Sequence, residues 1–102
     1  MTANSIRGEA AIRLAGHDRV LRPTFAALVA AEEELGPLFA LVERAGSGQL
    51  RLAELAALFW HCLAERGGVT RDEVGEAVMA SGLAGCAPAV RALLGQILQG
   101  RA

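Results

Sequence analysis

Leu21-Arg22-Pro23-Thr24-Phe25-Ala26-Ala27-Leu28-Val29-Ala30-Ala31-Glu32-Glu33-Glu34-Leu35-Gly36 passes from a strand-like end, through a helix start, to a helix stop. Pro23 suits extended backbone and cannot donate to a ladder. Thr24 suits an N-cap, because its hydroxyl can accept from an unpaired N–H of the first turn. Phe25, Leu28, Val29 and Leu35 recur at helical spacing and predict one apolar face. Gly36 provides the positive φ on which helices commonly end. The run Glu32-Glu33-Glu34 sits in the last turn, where carboxylates oppose the helix dipole. It reads either as a solvated face or as a contact for a basic partner.

Upstream, the pattern is alternation. Residues 1–5 read as a loose tail and 6–22 as an antiparallel β-hairpin. Ala10, Ile12 and Leu14 fall on one face, with Glu9, Ala11 and Arg13 on the other. Gly16-His17-Asp18 is the expected turn, and Arg19 to Arg22 the return. A lone two-stranded hairpin is marginal in water, so it must lie on helices or join another sheet. Its edge also leaves pairing with a second copy, and hence a homo-oligomer, open.

Downstream, residues 24–99 read as helical. Pro37 suits the start of a second helix reaching about Ala45, with Leu38, Leu41 and Val42 inward. Gly46-Ser47-Gly48 breaks it. Leu52 to Glu65 is the most apolar helix, with one stripe of Leu55, Leu58, Phe59 and Cys62 and another of Ala56, Trp60 and Leu63. A helix apolar on two faces is usually sandwiched. Thr70 and Glu73 have capping-box spacing and open a fourth helix, presenting Val74, Ala77 and Val78 until Ser81-Gly82 stops it. Pro88 is the expected start of a fifth, carrying Val90, Leu93, Leu94, Ile97 and Leu98, and Gly100 its stop. The fold class is thus α+β, mostly α: an N-terminal antiparallel β-hairpin followed by about five short helices, in a single domain over 1–102.

Bulk properties exclude several function classes. Ten basic and eleven acidic residues give a net charge of −1, and the positive side chains are dispersed arginines, so no nucleic-acid partner is expected. No uninterrupted apolar run reaches the length of a membrane span, and no signal-like segment opens the chain, so a cytoplasmic protein with no membrane partner is expected. Cys62 and Cys86 are the only cysteines and are expected to be reduced and packed.

A short frame recurs. Gly48-x-Leu50-x-x-x-Glu54-Leu55 is echoed by Gly67-x-Val69-x-x-x-Glu73-Val74. It resembles the back half of a calcium-binding EF-hand loop, but the oxygen ligands of the front half are missing: Glu43, Ala45 and Ser47 stand there in one copy, Cys62, Ala64 and Arg66 in the other. A structural reading remains, in which Leu50 and Val69 meet in a short bridge. His61 and Cys62 are adjacent and point about 100° apart on a helix; His61 and Glu65 share a face, but two ligands do not make a zinc site. His17 beside Asp18 reads as a surface pair. No phosphate-loop pattern occurs, no lysine is present and no serine lies in a nucleophile elbow. No catalytic residue, cofactor or metal is expected, and the chain is not expected to be an enzyme.

One set of residues points to a family. Arg7-Gly8-Glu9 opens the first strand and Gly16 makes the turn. Leu21-Arg22-x-Thr24-Phe25-x-Ala27-Leu28 leads into the helix, and Glu32 with Leu35-Gly36 closes it. Gly46-Ser47-Gly48 then leads to the apolar third helix. This resembles, from about Arg7 to Leu98, the small phage-like tail protein of gene transfer agent clusters in alphaproteobacteria, a family described both as tail tube protein and as tail assembly chaperone. The resemblance implies assembly of a long non-contractile tail, with the tape-measure protein and the tail-tube protein as partners. The protein would then act in the producing cell or in the particle tail. The resemblance is read first as a tail assembly chaperone that binds the tape-measure protein, with a structural tail component and a generic helical interaction domain as the alternatives. An apolar helical groove would suit a helical client. Phe59, Trp60 and Leu63 are its candidate lining if they are not simple core, and Glu32 and Glu33 the candidate contacts for a basic surface.

Overall fold

Strand β1 (Ala10–Leu14) and strand β2 (His17–Leu21) form a two-stranded antiparallel sheet in a computed structural model that describes residues 9–99. The expected tail over 1–5, the start of the hairpin over 6–8 and the stop at Gly100 lie outside the described residues. Ala10, Ile12 and Leu14 are buried and Ala11 and Arg13 exposed, as the alternation requires. The turn is Ala15-Gly16 rather than Gly16-His17-Asp18, because Leu14 pairs directly with His17. Both turn residues have positive φ, 49° and 82°. A two-residue hairpin connection demands this if its twist is to match the strands. Glu9 is the second departure. It is buried, not solvent-facing, and its carboxylate accepts from Arg22 Nε at 2.6 Å. With Ala10 opposite Leu21, positions 9 and 22 are the next neighbours across the hairpin.

Four helices follow among the described residues. Helix α1 (Phe25–Leu35) is capped by the Thr24 hydroxyl, which accepts from the Ala27 N–H at 3.1 Å. It ends at Gly36, whose φ of 86° and ψ of −172° are essentially glycine-only. Its inward face is Ala27, Leu28, Ala31 and Leu35, not the expected Phe25, Leu28, Val29 and Leu35. Phe25 is 85% exposed and Val29 lies at the surface, because α1 turns its alanines inward and buries Ala31 completely. Helix α2 (Leu38–Gly46) buries Leu41 and packs Leu38 and Val42, as their spacing requires.

Helix α3 (Leu52–Cys62) buries Leu55, Leu58, Phe59 and Cys62. It stops at Cys62 rather than near Glu65, because the sheet takes the chain over. Leu63 is extended and forms an antiparallel bridge with Leu21, Arg22 N donates to Cys62 O at 2.6 Å, and Ala64 N donates to Val20 O at 3.0 Å. The expected bridge between Leu50 and Val69 does not form; this one takes its place.

Helix α4 (Arg71–Gln99) replaces the two last helices expected from sequence, so the count is four rather than about five. Its capping box is present: Glu73 accepts from Thr70 N at 2.9 Å, and Thr70 Oγ1 accepts from Glu73 N at 3.2 Å. At Gly82 the backbone leaves helical geometry (φ 77°, ψ 158°) and helix resumes at once. One residue thus does the work assigned to a stop and a connection, and Pro88 falls inside the helix instead of opening one. By length and composition α4 is apolar enough to cross a bilayer, with a mean hydropathy of 1.5 in its best window, which the sequence expectation overlooked. The break at Gly82 divides it into two shorter runs, and Val74, Ala77, Val78, Cys86, Leu93 and Leu94 are buried inside the molecule. Phe59, Leu21, Leu41, Leu58, Leu93 and Val78 are the large residues at the centre of the core.

Candidate functional site

The third helix and the first half of α4 lie side by side, and the surface between them holds the most distinctive polar chemistry of the molecule. Glu34, from the end of α1, reaches both. Its carboxylate meets Arg71 Nη1 at 2.5 Å and His61 Nε2 at 2.8 Å. The Arg71 guanidinium, and then His61, hold the Glu34 carboxyl down to about 2. Arg71 also stands over the Trp60 ring, 4.5 Å from its centroid, and Arg66 does so at 4.4 Å. Each such contact contributes on the order of 0.5–2 kcal/mol, depending on its desolvation. Trp60 Nε1 donates to Val69 O at 3.2 Å. Trp60 is therefore a fastener: it ties α3 to the loop before α4 and is roofed by cations.

The residues singled out from sequence separate accordingly. Phe59 is 1% exposed and Leu63 is buried beside the β-bridge, so neither presents a free apolar face. Trp60 is half-buried and covered by Arg66 and Arg71. The expected groove built on these three is not formed. Glu32 is exposed and accepts from Leu38 N at 3.1 Å, tying α1 to α2. Glu33 is exposed and makes no ion pair among the described residues. Cys62 and Cys86 are buried free thiols, and burial pushes the Cys62 thiol up to about 12. His17 has no pairing with Asp18, which instead meets Arg13 at 3.2 Å.

The repeated glycine-to-glutamate frame has a structural meaning. Glu54 accepts from the Arg51 N–H at 2.9 Å, as Glu73 does from the Thr70 N–H. Each glutamate closes the first turn of the helix it enters, after a glycine of positive φ, Gly48 in one copy and Gly67 in the other. Glu54 also holds Arg44 through two bonds of 2.7 and 2.6 Å, which lock α2 to α3. Among the described residues no group of three or more His, Cys, Asp or Glu is placed to hold a metal ion.

A groove missed by the sequence reading runs between α3 and α4. It is an open concavity of about 510 Å³, lined by the small residues Ala53, Ala56 and Gly75 and by the apolar side chains of Leu52 and Met79. Met79 is 64% exposed and Leu52 44%. The signal was present as Asp72, Gly75, Glu76 and Met79, a second stripe at helical spacing opposite Val74, Ala77 and Val78.

The family model described as phage tail tube protein, GTA-gp10, matches residues 7–100. The chain belongs to that family. It is a tail protein of the gene transfer agent type, and its partners are to be sought among other tail components. No curated protein matches the chain, and no solved structure does.

Proposed function

We propose that this tail protein is a tail assembly chaperone: it binds the tape-measure protein during tail morphogenesis, in the cytoplasm of the producing cell, and catalyses no reaction. The observation that carries this reading is the size of the sheet. Its two strands have five residues each, and its third member is a single bridge at Leu63. A subunit that builds a tube by sheet pairing needs longer strand edges to share with its neighbours. The surface on offer is helical, with a groove of the kind that takes an amphipathic helix. The dispersed arginines support a protein client over a nucleic acid: Arg13, Arg22, Arg44 and Arg71 are each paired with a carboxylate.

Co-expression with the tape-measure protein of the same gene cluster tests the proposal. The expected result is a soluble complex that co-elutes and a tape measure that precipitates alone. A tape measure no more soluble with this chain, and no complex, would sink it. The family description favours a second reading, a structural component of the tail. Mass spectrometry of purified particles separates the two, since a structural component is present in stoichiometric amounts and a chaperone is absent.

A further inference from the structure

We infer that the groove between α3 and the first half of α4 is the client site, and that its occupant is an amphipathic helix whose apolar face is flanked by lysine or arginine; this rests on the chaperone reading above. Three features converge there. Part of the lining is small: Ala53, Ala56 and Gly75 let another backbone come close, and a Cβ built at Gly75 meets nothing within 4 Å. Part of it is the exposed apolar side chains of Leu52 and Met79, so an apolar stripe gains burial by entering. The rim carries uncompensated negative charge. Asp72 and Glu76 stand four residues apart on α4, both exposed, with no ion pair among the described residues. The one arginine at the groove, Arg71, is already held by Glu34. A helix with basic flanks supplies the missing counter-charges, and an acidic one is repelled.

The test uses the full chain and overlapping fluorescent peptides that span the tape-measure protein, read by anisotropy. At least one basic, helix-forming peptide is expected to bind. Gly75→Leu fills the small part of the lining and Glu76→Arg reverses the rim, and each is expected to weaken binding at least tenfold with circular dichroism unchanged. Glu43→Arg, on the exposed side of α2, is expected to leave binding within twofold. Unchanged binding by either groove variant overturns the site and leaves the chaperone reading standing. A loss in Glu43→Arg equal to that in Glu76→Arg means diffuse electrostatics and also overturns it. If no peptide binds and sedimentation shows a dimer that Gly75→Leu dissociates, the occupant is a second copy and the proposal is wrong. If neither peptide binding nor a dimer is found, the groove falls as the client site, and the co-expression experiment alone decides the chaperone reading.

Discussion

Glu54 shows how much one side chain can carry in a domain this small. It closes the first turn of α3 and clamps Arg44 of α2 in a two-pronged bond, and its side chain is 15% exposed. Glu54→Gln keeps the shape and loses the charge, and is expected to cost about 1–2 kcal/mol at pH 7 in chemical denaturation, after allowance for solvent screening. The acid limb follows from the same pairing. Arg44, then the Arg51 N–H, hold Glu54 at about 2, and Arg71 with His61 hold Glu34 at about 2, both from an ordinary 4.5. Their contribution is complete above about pH 4.5 and is lost as pH falls toward 2, because the unfolded chain takes up the protons first. The melting temperature should therefore be flat between pH 7 and 5 in these terms and fall below 4.5, less steeply in Glu54→Gln. The role of Glu73 was readable from sequence, since its partner Thr70 is three residues away. That of Glu54 was half hidden, since Arg44 lies on another helix, and that of Glu9 was hidden altogether, since it depends on strand register.

Among the elements, the hairpin and α4 depend most on backbone geometry. Ala15 sits at φ 49°, a left-handed conformation that costs an alanine about 1 kcal/mol. Ala15→Asn should raise stability by roughly 0.5–1 kcal/mol, since asparagine tolerates that region, and differential scanning calorimetry would register it. Gly82 and Gly95 form an opposed pair within α4. At Gly82 (φ 77°, ψ 158°) an alanine is strained and should cost about 1–3 kcal/mol. At Gly95, helical and with open space around its Cβ direction, an alanine should add about 0.5–1 kcal/mol. Alternation made β1 legible because the period of two survives any choice of turn. The number of helices was less so: Ser81-Gly82 marks a break in direction, and nothing in composition says that helix resumes at the next residue. The exposure of Phe25 was illegible for a related reason. Spacing defines a face, but alanines on the adjacent face let α1 turn and pack closely instead.

For the whole molecule the decisive division is between core and surface. Phe59 lies at the centre, 1% exposed, and Phe59→Ala should cost about 3–5 kcal/mol, much of the roughly 5–15 kcal/mol that holds a domain of this kind. Met79→Ala, at the surface, should change stability by less than about 0.5 kcal/mol. Urea denaturation of the two variants sets the scale against which any binding defect is judged. The family could be read from the strand–turn–strand–helix opening because that unit is local in sequence. The groove was only half legible: the stripe of Asp72, Gly75, Glu76 and Met79 is local in sequence, but Leu52 joins it only when α3 and α4 are packed.

The single-residue bridge at Leu63 also sets an order of events. A two-stranded ribbon alone does not persist in water, and β2 gains its other neighbour only when the chain leaving α3 is in place. During synthesis the hairpin's edge should therefore gain its partner only after some forty more residues, about the spacing between Leu21 and Leu63, and its buried face only once α4, against which β1 packs, has followed. The amide protons of Arg22 and Ala64, which close this junction, should accordingly share one opening free energy in hydrogen exchange, while those at the hairpin tip exchange sooner.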